Sequence, residues 1–216
     1  MFRKIVNRAK FQLLSVRNYE REMVFGIGLP KTATTSLHSS LQILGYSSIH
    51  YPPIARIEDG ACYLDWPWWM EMYNAGCDAP VAATYKKLYE LYPNAKFVLT
   101  TRGLEGWLES CRKHYTEAWA EGTRSNPNLR QAYELDRFMF GSSPIFDRKT
   151  FTDTFNRHTD EVVDFFSNRK PLAIIDIPGG HGWNEICSAL ERNIPLEEFP
   201  KRNTRTAPDA APVDVI

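Results

Sequence analysis

The stretch FGIGLPKTATTSL, residues 25–37, decides the fold. Its front half belongs to the apolar run MVFGIGL (residues 23–29), short and studded with glycine as a buried parallel strand is. Its back half opens a helical stripe of Leu37, Leu41 and Leu44, closed by Gly45. A strand turning into a helix aims backbone N–H groups and the positive end of the helix dipole at one spot, which makes an anion site. Lys31 adds a point charge there, and Thr32, Thr34, Thr35 and Ser36 fill four of the next five positions with hydroxyl donors. A plain helix cap needs one hydroxyl; a phosphate or sulfate needs several crowded around its oxygens. The ATP-binding version of such a loop places glycine immediately before the lysine, and here Pro30 stands there.

Working outward, strands and helices alternate. Residues 46–50 read as a second short strand. DWPWWMEMYNAG (residues 65–76) reads as a helix opened by Pro67 and stopped by Gly76. Asp78-Ala79-Pro80 supplies an N-cap and a first-turn proline to a helix with Val81, Tyr85, Leu88 and Tyr92 on one face. KFVLTT (residues 96–101) is the clearest strand, and the helix after Gly103 carries Leu104, Trp107, Leu108, Cys111 and Tyr115. Residues 121–150 are polar and irregular with helical patches, the look of an insertion or lid. A helix through Phe151, Phe155, His158, Val162 and Phe165 follows, then the buried strand LAIIDI (residues 172–177), a glycine loop, and a helix with Trp183, Ile186 and Leu190. This alternation predicts a parallel sheet covered on both faces, one α/β domain over residues 1–216 with its core at 22–204. Ligands in such folds bind beyond the carboxyl ends of the strands.

Composition narrows the partners. Lysine plus arginine number 26 and aspartate plus glutamate 26, so no global field draws nucleic acid or an acidic polymer. Cys62, Cys77, Cys111 and Cys187 lie far apart without a CxxC pair, which fits reduced thiols in a cytoplasmic protein better than zinc or a disulfide framework. No apolar run approaches the roughly 20 residues that span a bilayer. The opening MFRKIVNRAKFQLLSV (residues 1–16) is basic and broken by charges; it reads as a short helix or ordering arm, and contact of Arg3, Lys4, Arg8 and Lys10 with a membrane surface is the lesser reading. The alanine- and proline-rich residues 206–216 are expected to be disordered.

Pro30-Lys31-Thr32-Ala33-Thr34-Thr35-Ser36-Leu37 resembles the 5′-phosphosulfate loop of the sulfotransferases, approximately P-K-[ST]-[GA]-T-[TS]-[SW]-L, with Ala33 where glycine is commoner. That family binds the 3′-phosphate of its donor with an arginine at a strand end and a serine eight residues on. Arg102, ending KFVLTTR, and Ser110 stand at that spacing. A guanidinium there gives a planar fork for a phosphate dianion. Lys201 and Arg202 are similar, more loosely, to the family's late basic segment. The resemblance is to its small, divergent branch, with Ser48-Ile49-His50, Asp78-Ala79-Pro80 and the run from Tyr92 to Arg102, YPNAKFVLTTR, matching further elements. It implies a three-layer P-loop NTPase-like fold with a central parallel sheet flanked by helices. It implies PAPS (3′-phosphoadenosine 5′-phosphosulfate) as donor, 3′-phosphoadenosine 5′-phosphate as product, no required metal, and a small-molecule or glycan acceptor sulfated on a hydroxyl or amine.

Sulfuryl transfer needs positioning, charge stabilisation and removal of the acceptor's proton. The resemblance assigns Lys31 to the bridging and leaving oxygens and the loop from Pro30 to Ser36 to the 5′-phosphate. For the base, His50 at the end of the second strand and Asp78 at the helix start compete, or cooperate as base and orienter, with His38 a weaker candidate. Trp66, Trp68, Trp69, Met70 and Tyr73 read either as core or as the wall of an acceptor pocket. Two rivals stand beside the transferase: a nucleotide-binding relative without turnover, and a P-loop kinase on ATP, whose Mg²⁺ would need an aspartate such as Asp176.

Overall fold

The computed structural model describes residues 21–141 and 143–202; the basic N-terminal segment and the 206–216 tail lie outside them. Its centre is a five-stranded sheet in the order β2-β5-β1-β6-β7, formed by Ser48–His50, Ala75–Cys77, Val24–Gly26, Lys96–Thr100 and Leu172–Ile175. Every pairing in it is parallel, with Phe25 opposite both Gly76 and Phe97. The connecting helices are α1 (Thr34–Ile43), α2 (Ala79–Leu91), α3 (Leu104–His114), α4 (Glu117–Ser125), α5 (Arg130–Phe140), α6 (Arg148–Phe166) and α7 (Trp183–Leu190).

Alternation along the strands sends side chains to two faces, and each face has its own helices. Phe25, Phe97 and Leu99 join Val81, Tyr85 and Leu88 of α2 and Val162 and Phe166 of α6. Val24, Val98 and Ile175 join Leu37 and Leu41 of α1 and Ile186 and Leu190 of α7. Each fully buried Leu or Phe stabilises by about 1.5–3 kcal/mol, which is why strands of three to five residues suffice here. The expected α/β architecture, a parallel sheet between two helical layers, is the one observed.

Two expectations fail locally. The helix expected from Pro67 to its stop at Gly76 is only a 3₁₀ turn at Trp68–Met72, and Gly76 lies inside β5. The chain must be extended by Ala75 to reach the sheet, which leaves no room for a longer helix. Between β2 and that turn the chain also forms a hairpin, β3 (Ala55–Glu58) with β4 (Ala61–Leu64). Its tip, Asp59-Gly60, has positive φ at both residues (51° and 73°), the geometry of a two-residue hairpin turn.

The segment 121–150 is largely helical, and its α5 buries Leu135, Met139 and Phe140. These join Trp107, Leu108 and Tyr115 of α3 and Phe151 of α6 in a third apolar cluster, where Phe140 stacks on Phe151 at 4.2 Å. That cluster also takes in Leu29, from the loop after β1.

The order of strands locates the site. The crossover leaving β1 runs toward β2, and the one leaving β6 runs the opposite way toward β7. A crevice opens at the carboxyl ends of two such neighbours, and it is flanked by the loop at residues 27–33 and by Arg102.

Candidate functional site

The loop after β1 is fastened from three sides. Its start is held by His158 of α6, whose Nε2 donates to the Ile27 carbonyl at 2.8 Å. Its middle is held by Trp107 of α3, whose indole N–H donates to the Pro30 carbonyl at 2.8 Å. Its turn is closed by Thr32, whose hydroxyl donates to the Leu29 carbonyl (2.6 Å) and meets the Thr100 hydroxyl of β6 at 2.7 Å. Gly28 makes this packing feasible, since a Cβ there would fall 2.1 Å from Thr100 Oγ1. The Thr32 side chain therefore ties the loop to the sheet rather than reaching into the crevice.

Lys31 and Ala33 both have φ 70°, a left-handed conformation. The alternating turn folds the chain into a concave nest of N–H groups ahead of α1. Ala33 is the N-cap of α1 and provides no side-chain cap, and no acidic residue occupies the first turn. The helix thus begins with N–H groups that call for an outside acceptor. The positive φ also explains why glycine would suit position 33: an L-residue there is strained by about 1–2 kcal/mol.

Arg102 comes to the same place from β6. Its Nη1 lies 3.5 Å from the Lys31 carbonyl oxygen. The charges of Lys31 and Arg102 are both felt at Cys111, where burial raises the thiol and the two cations pull the other way. Ser110 stands half-buried one residue before Cys111 and makes no side-chain hydrogen bond among the described residues. From the carboxyl end of the chain, Arg202 reaches α1 through its backbone: its N–H donates to Ser36 Oγ at 2.9 Å, and the Ser36 hydroxyl lies 3.4 Å from its carbonyl. Lys201 and Arg202 thereby stand beside the loop with exposed side chains. These residues supply anion-binding groups from three directions around an uncapped helix start, which fits a ligand with well-separated phosphate groups.

A polar network adjoins this nest at the ends of β2 and β5. His50 Nε2 lies 2.8 Å from Asp78 Oδ2. The Thr34 hydroxyl donates to the same oxygen at 3.1 Å and lies 3.2 Å from His50 Nε2, with the Thr35 hydroxyl at 3.3 Å. Asp78 also keeps its expected place as the N-cap of α2, where Oδ1 accepts from the Ala79 N–H at 2.7 Å. Burial pushes the Asp78 carboxyl upward, but the hydrogen bond and charge of His50, then the Ala79 N–H and the Thr34 hydroxyl, outweigh it and leave the group below its ordinary range. Its backbone has φ 85° and ψ −174°, a region held almost only by glycine, costing about 1–3 kcal/mol. Such strain persists only where the surroundings over-determine it, and here they bond every face of the carboxylate.

Pairing Nε2 with a carboxylate fixes that nitrogen as the protonated one, which leaves the Nδ1 lone pair of His50 to take a proton. The ring is 29% exposed. His38 lies behind it with ring centroids 5.7 Å apart, its Nδ1 bonded to Ser48 Oγ at 2.9 Å. Burial, then the neighbouring His50, drive His38 down to about 4, so it stays neutral and supports the ring from behind.

The aromatic cluster expected either in a pocket or in the core divides. Trp66 packs on Phe25 and Tyr92, and Met70, Trp69 and Tyr73 join the same core cluster, whereas Trp68 is 80% exposed. Asp176, the carboxylate a kinase would need for Mg²⁺, caps its own turn by accepting from the Gly179 N–H at 2.8 Å. Among the described residues no group of three or more His, Cys, Asp or Glu could hold a metal ion, and no helix is long and apolar enough to cross a membrane. Reasoning from sequence missed the supports Trp107, Thr100 and Ser48. Each is an ordinary strand or helix residue whose role appears only when distant elements meet.

Comparison with known proteins adds two findings. A model of the sulfotransferase domain family matches residues 23–207. Ava biosynthesis cluster protein M of Aspergillus versicolor is 22% identical over 214 residues, covering 82% of this chain and 79% of that protein.

Proposed function

Since the chain belongs to the sulfotransferase domain family, we propose that it moves a sulfuryl group from PAPS to a hydroxyl of an acceptor. One observation carries this reading: Lys31 and Arg102, from the ends of adjacent parallel strands, meet around an α1 start that has no cap of its own. PAPS supplies the activated sulfuryl group, and its remainder departs as 3′-phosphoadenosine 5′-phosphate.

The chain's residues divide the remaining work. The N–H groups at the start of α1, with the hydroxyls of Thr35 and Ser36 beside them, hold the 5′-phosphate. Arg102 and Ser110, with Lys201 and Arg202, take the 3′-phosphate. Lys31 neutralises the oxygen that gains charge as the sulfur–oxygen bond to the nucleotide breaks. His50 accepts the acceptor's proton on Nδ1 as the new oxygen–sulfur bond forms, while Asp78 holds Nε2–H and balances the imidazolium. Thr34 keeps Asp78 aimed. The four free cysteines, three of them buried, accord with a cytoplasmic setting.

The test is calorimetric titration with 3′-phosphoadenosine 5′-phosphate, with ATP and Mg²⁺ alongside. Micromolar binding of the bisphosphate, weakened about tenfold or more in Arg102→Ala, is expected. Binding of ATP·Mg²⁺ alone would replace this reading with the kinase one. Binding of the bisphosphate without transfer to any acceptor of a broad panel would leave a nucleotide-binding relative.

A further inference from the structure

The strand β7 forms one edge of the sheet, and its outer side carries backbone groups that bond to nothing. β7 pairs in parallel with β6 from Phe97 opposite Leu172 to Thr100 opposite Ile175, and the Thr101 N–H donates to the Ile175 carbonyl at 3.0 Å. Backbone groups change sides with each residue of a strand. Ala173 and Ile175 therefore bond inward to β6, whereas Leu172 and Ile174 turn their N–H and C=O groups outward. The next outward residue, Asp176, is already met: its N–H donates to His181 Nδ1 at 3.1 Å and its carbonyl accepts from the His181 N–H at 3.0 Å. Leu172 and Ile174 have no such partner among the described residues.

Nothing on this edge fends off a neighbouring strand. Leu172–Ile175 contains no charge and no proline, and Ile174 is 50% exposed. Between β7 and α7 runs a groove of about 300 Å³, lined by Pro171, Ala173, Glu185, Ser188 and Ala189. The small Ser188 and Ala189 on its α7 side leave a strand room to approach.

The order of side chains says which strand fits. Lys170, Leu172, Ile174 and Asp176 are alternate residues and share one side of the strand. Laid antiparallel against a copy of itself about Ala173, this row sets Lys170 opposite Asp176 and Leu172 opposite Ile174, then the same pairs in reverse. Neither charge is met within the chain: Lys170 donates to the neutral Asn94 amide, Asp176 Oδ1 accepts from the Gly179 N–H, and neither has an ion-pair partner among the described residues. In that same register the outward groups match, because Leu172 of each copy exchanges both its bonds with Ile174 of the other. Ala173 then meets itself as a non-hydrogen-bonded pair, where Cα atoms come within about 4.5 Å and a small side chain suits. A slip of one residue would set outward groups against inward ones, and a slip of two would set a charge against an apolar side chain.

We propose that a second copy of this chain docks on β7, antiparallel about Ala173, so that one sheet runs through a two-fold dimer. The strands of the two copies point opposite ways. Each crevice opens at the carboxyl ends of its own strands, so the two sites face away from each other and stay uncovered.

Sedimentation velocity of the full chain over a concentration series, with amide hydrogen exchange at the same concentrations, tests this. A monomer–dimer equilibrium is expected, with the Leu172 and Ile174 amides slow to exchange in the dimer and fast on dilution. Ile174→Pro removes an outward N–H that no bond within the sheet uses, so the variant should fold and its dimer Kd should rise about tenfold or more. Ala173→Cys should cross-link copy to copy on mild oxidation, since its own counterpart lies within disulfide reach, and Ile174→Cys should not. A monomer at every concentration overturns the proposal, including one whose two amides stay slow at all dilutions, because a segment of the same chain would then cover the edge. A dimer that Ile174→Pro leaves unweakened, or one in which Ala173→Cys cross-links no better than Ile174→Cys, pairs through another surface and overturns it too. If Ile174→Pro fails to fold, the two cysteine variants decide alone.

Discussion

Trp107 of α3 is fully buried, and its indole N–H binds the carbonyl of Pro30, the residue before Lys31. The helix that follows Arg102 therefore holds the loop that carries the other cation. That hydrogen bond joins those of His158 and Thr32 in setting the spacing between the two anion-binding ends.

Trp107→Phe removes that bond, leaves the Pro30 carbonyl unmet and opens a small void. A stability loss of about 1–3 kcal/mol is expected, together with weaker binding of 3′-phosphoadenosine 5′-phosphate. Denaturant melts and calorimetry check both, and unchanged nucleotide affinity in a folded variant would separate the loop from α3.

Gly28→Ala would drive a methyl group into Thr100 Oγ1 and the Thr100 carbonyl, at 2.1 and 2.2 Å. The Thr32–Thr100 contact cannot survive that, so the variant should lose nucleotide binding and about 1–3 kcal/mol or more of stability. A folded Gly28→Ala protein with wild-type affinity would show that the loop tolerates a different path.

Position 33 should respond unequally to two substitutions. Ala33→Gly relieves the left-handed strain but frees the unfolded chain, so stability should change by no more than about 1 kcal/mol. Ala33→Val sets a β-branched residue at φ 70° and should destabilise clearly. Equal melting temperatures for the two would contradict the backbone geometry.

For catalysis, His50→Gln should lower kcat by about 10²–10⁴-fold while leaving nucleotide affinity within a few-fold. Asp78→Asn acts through the imidazole, so it should lower kcat too, and adding it to His50→Gln should cost little more. A double variant that loses both factors in full would mean that Asp78 acts apart from His50.

His38 gives a pH signature of stability. Its ring ionises at about 4 in the folded protein against an ordinary value of 6.5, so the unfolded chain binds the extra proton between those values. Stability is therefore complete above pH 6.5 and falls as pH drops toward 4, with a slope below the limit of about 1.4 kcal/mol per pH unit because the ring is only half buried. His38→Asn, which keeps an acceptor-capable amide near Ser48, should flatten that interval in urea melts. An unchanged slope would place the titration elsewhere.

Much of this was legible in the chain because single elements announce themselves. Residues 96–101 form an unbroken β-prone run, and the lysine-and-hydroxyl loop needs no distant partner to be recognised. β5 was not legible. Its three residues are Ala75, Gly76 and Cys77, small because the sheet is tight there: a Cβ on Gly26 would lie 2.7 Å from that of Cys77. Small residues carry little strand propensity, so the glycine looked like a helix stop. The hairpin at residues 55–64 was signalled by Asp59-Gly60 but hidden by its half-exposed strands. In the site, His50 and Asp78 stood in the sequence as rival bases or as a base and its orienter; the choice between these needed β5, which brings residue 78 alongside and makes them a pair.

The strand order also governs how the protein can be made. Among the described residues β2 bonds only to β5, yet it leaves the ribosome some 25 residues earlier. Until residues 75–77 emerge, β1 and β2 have an unfilled lane between them, and His50 lacks the Asp78 carboxylate that follows that strand. The first half of the nascent chain therefore cannot close the sheet. A product released before residue 75 would expose two unpaired edges, the kind of surface that recruits chaperones or neighbouring chains. The cluster that would bind the acceptor is thus assembled late, after the strand that looks least like one.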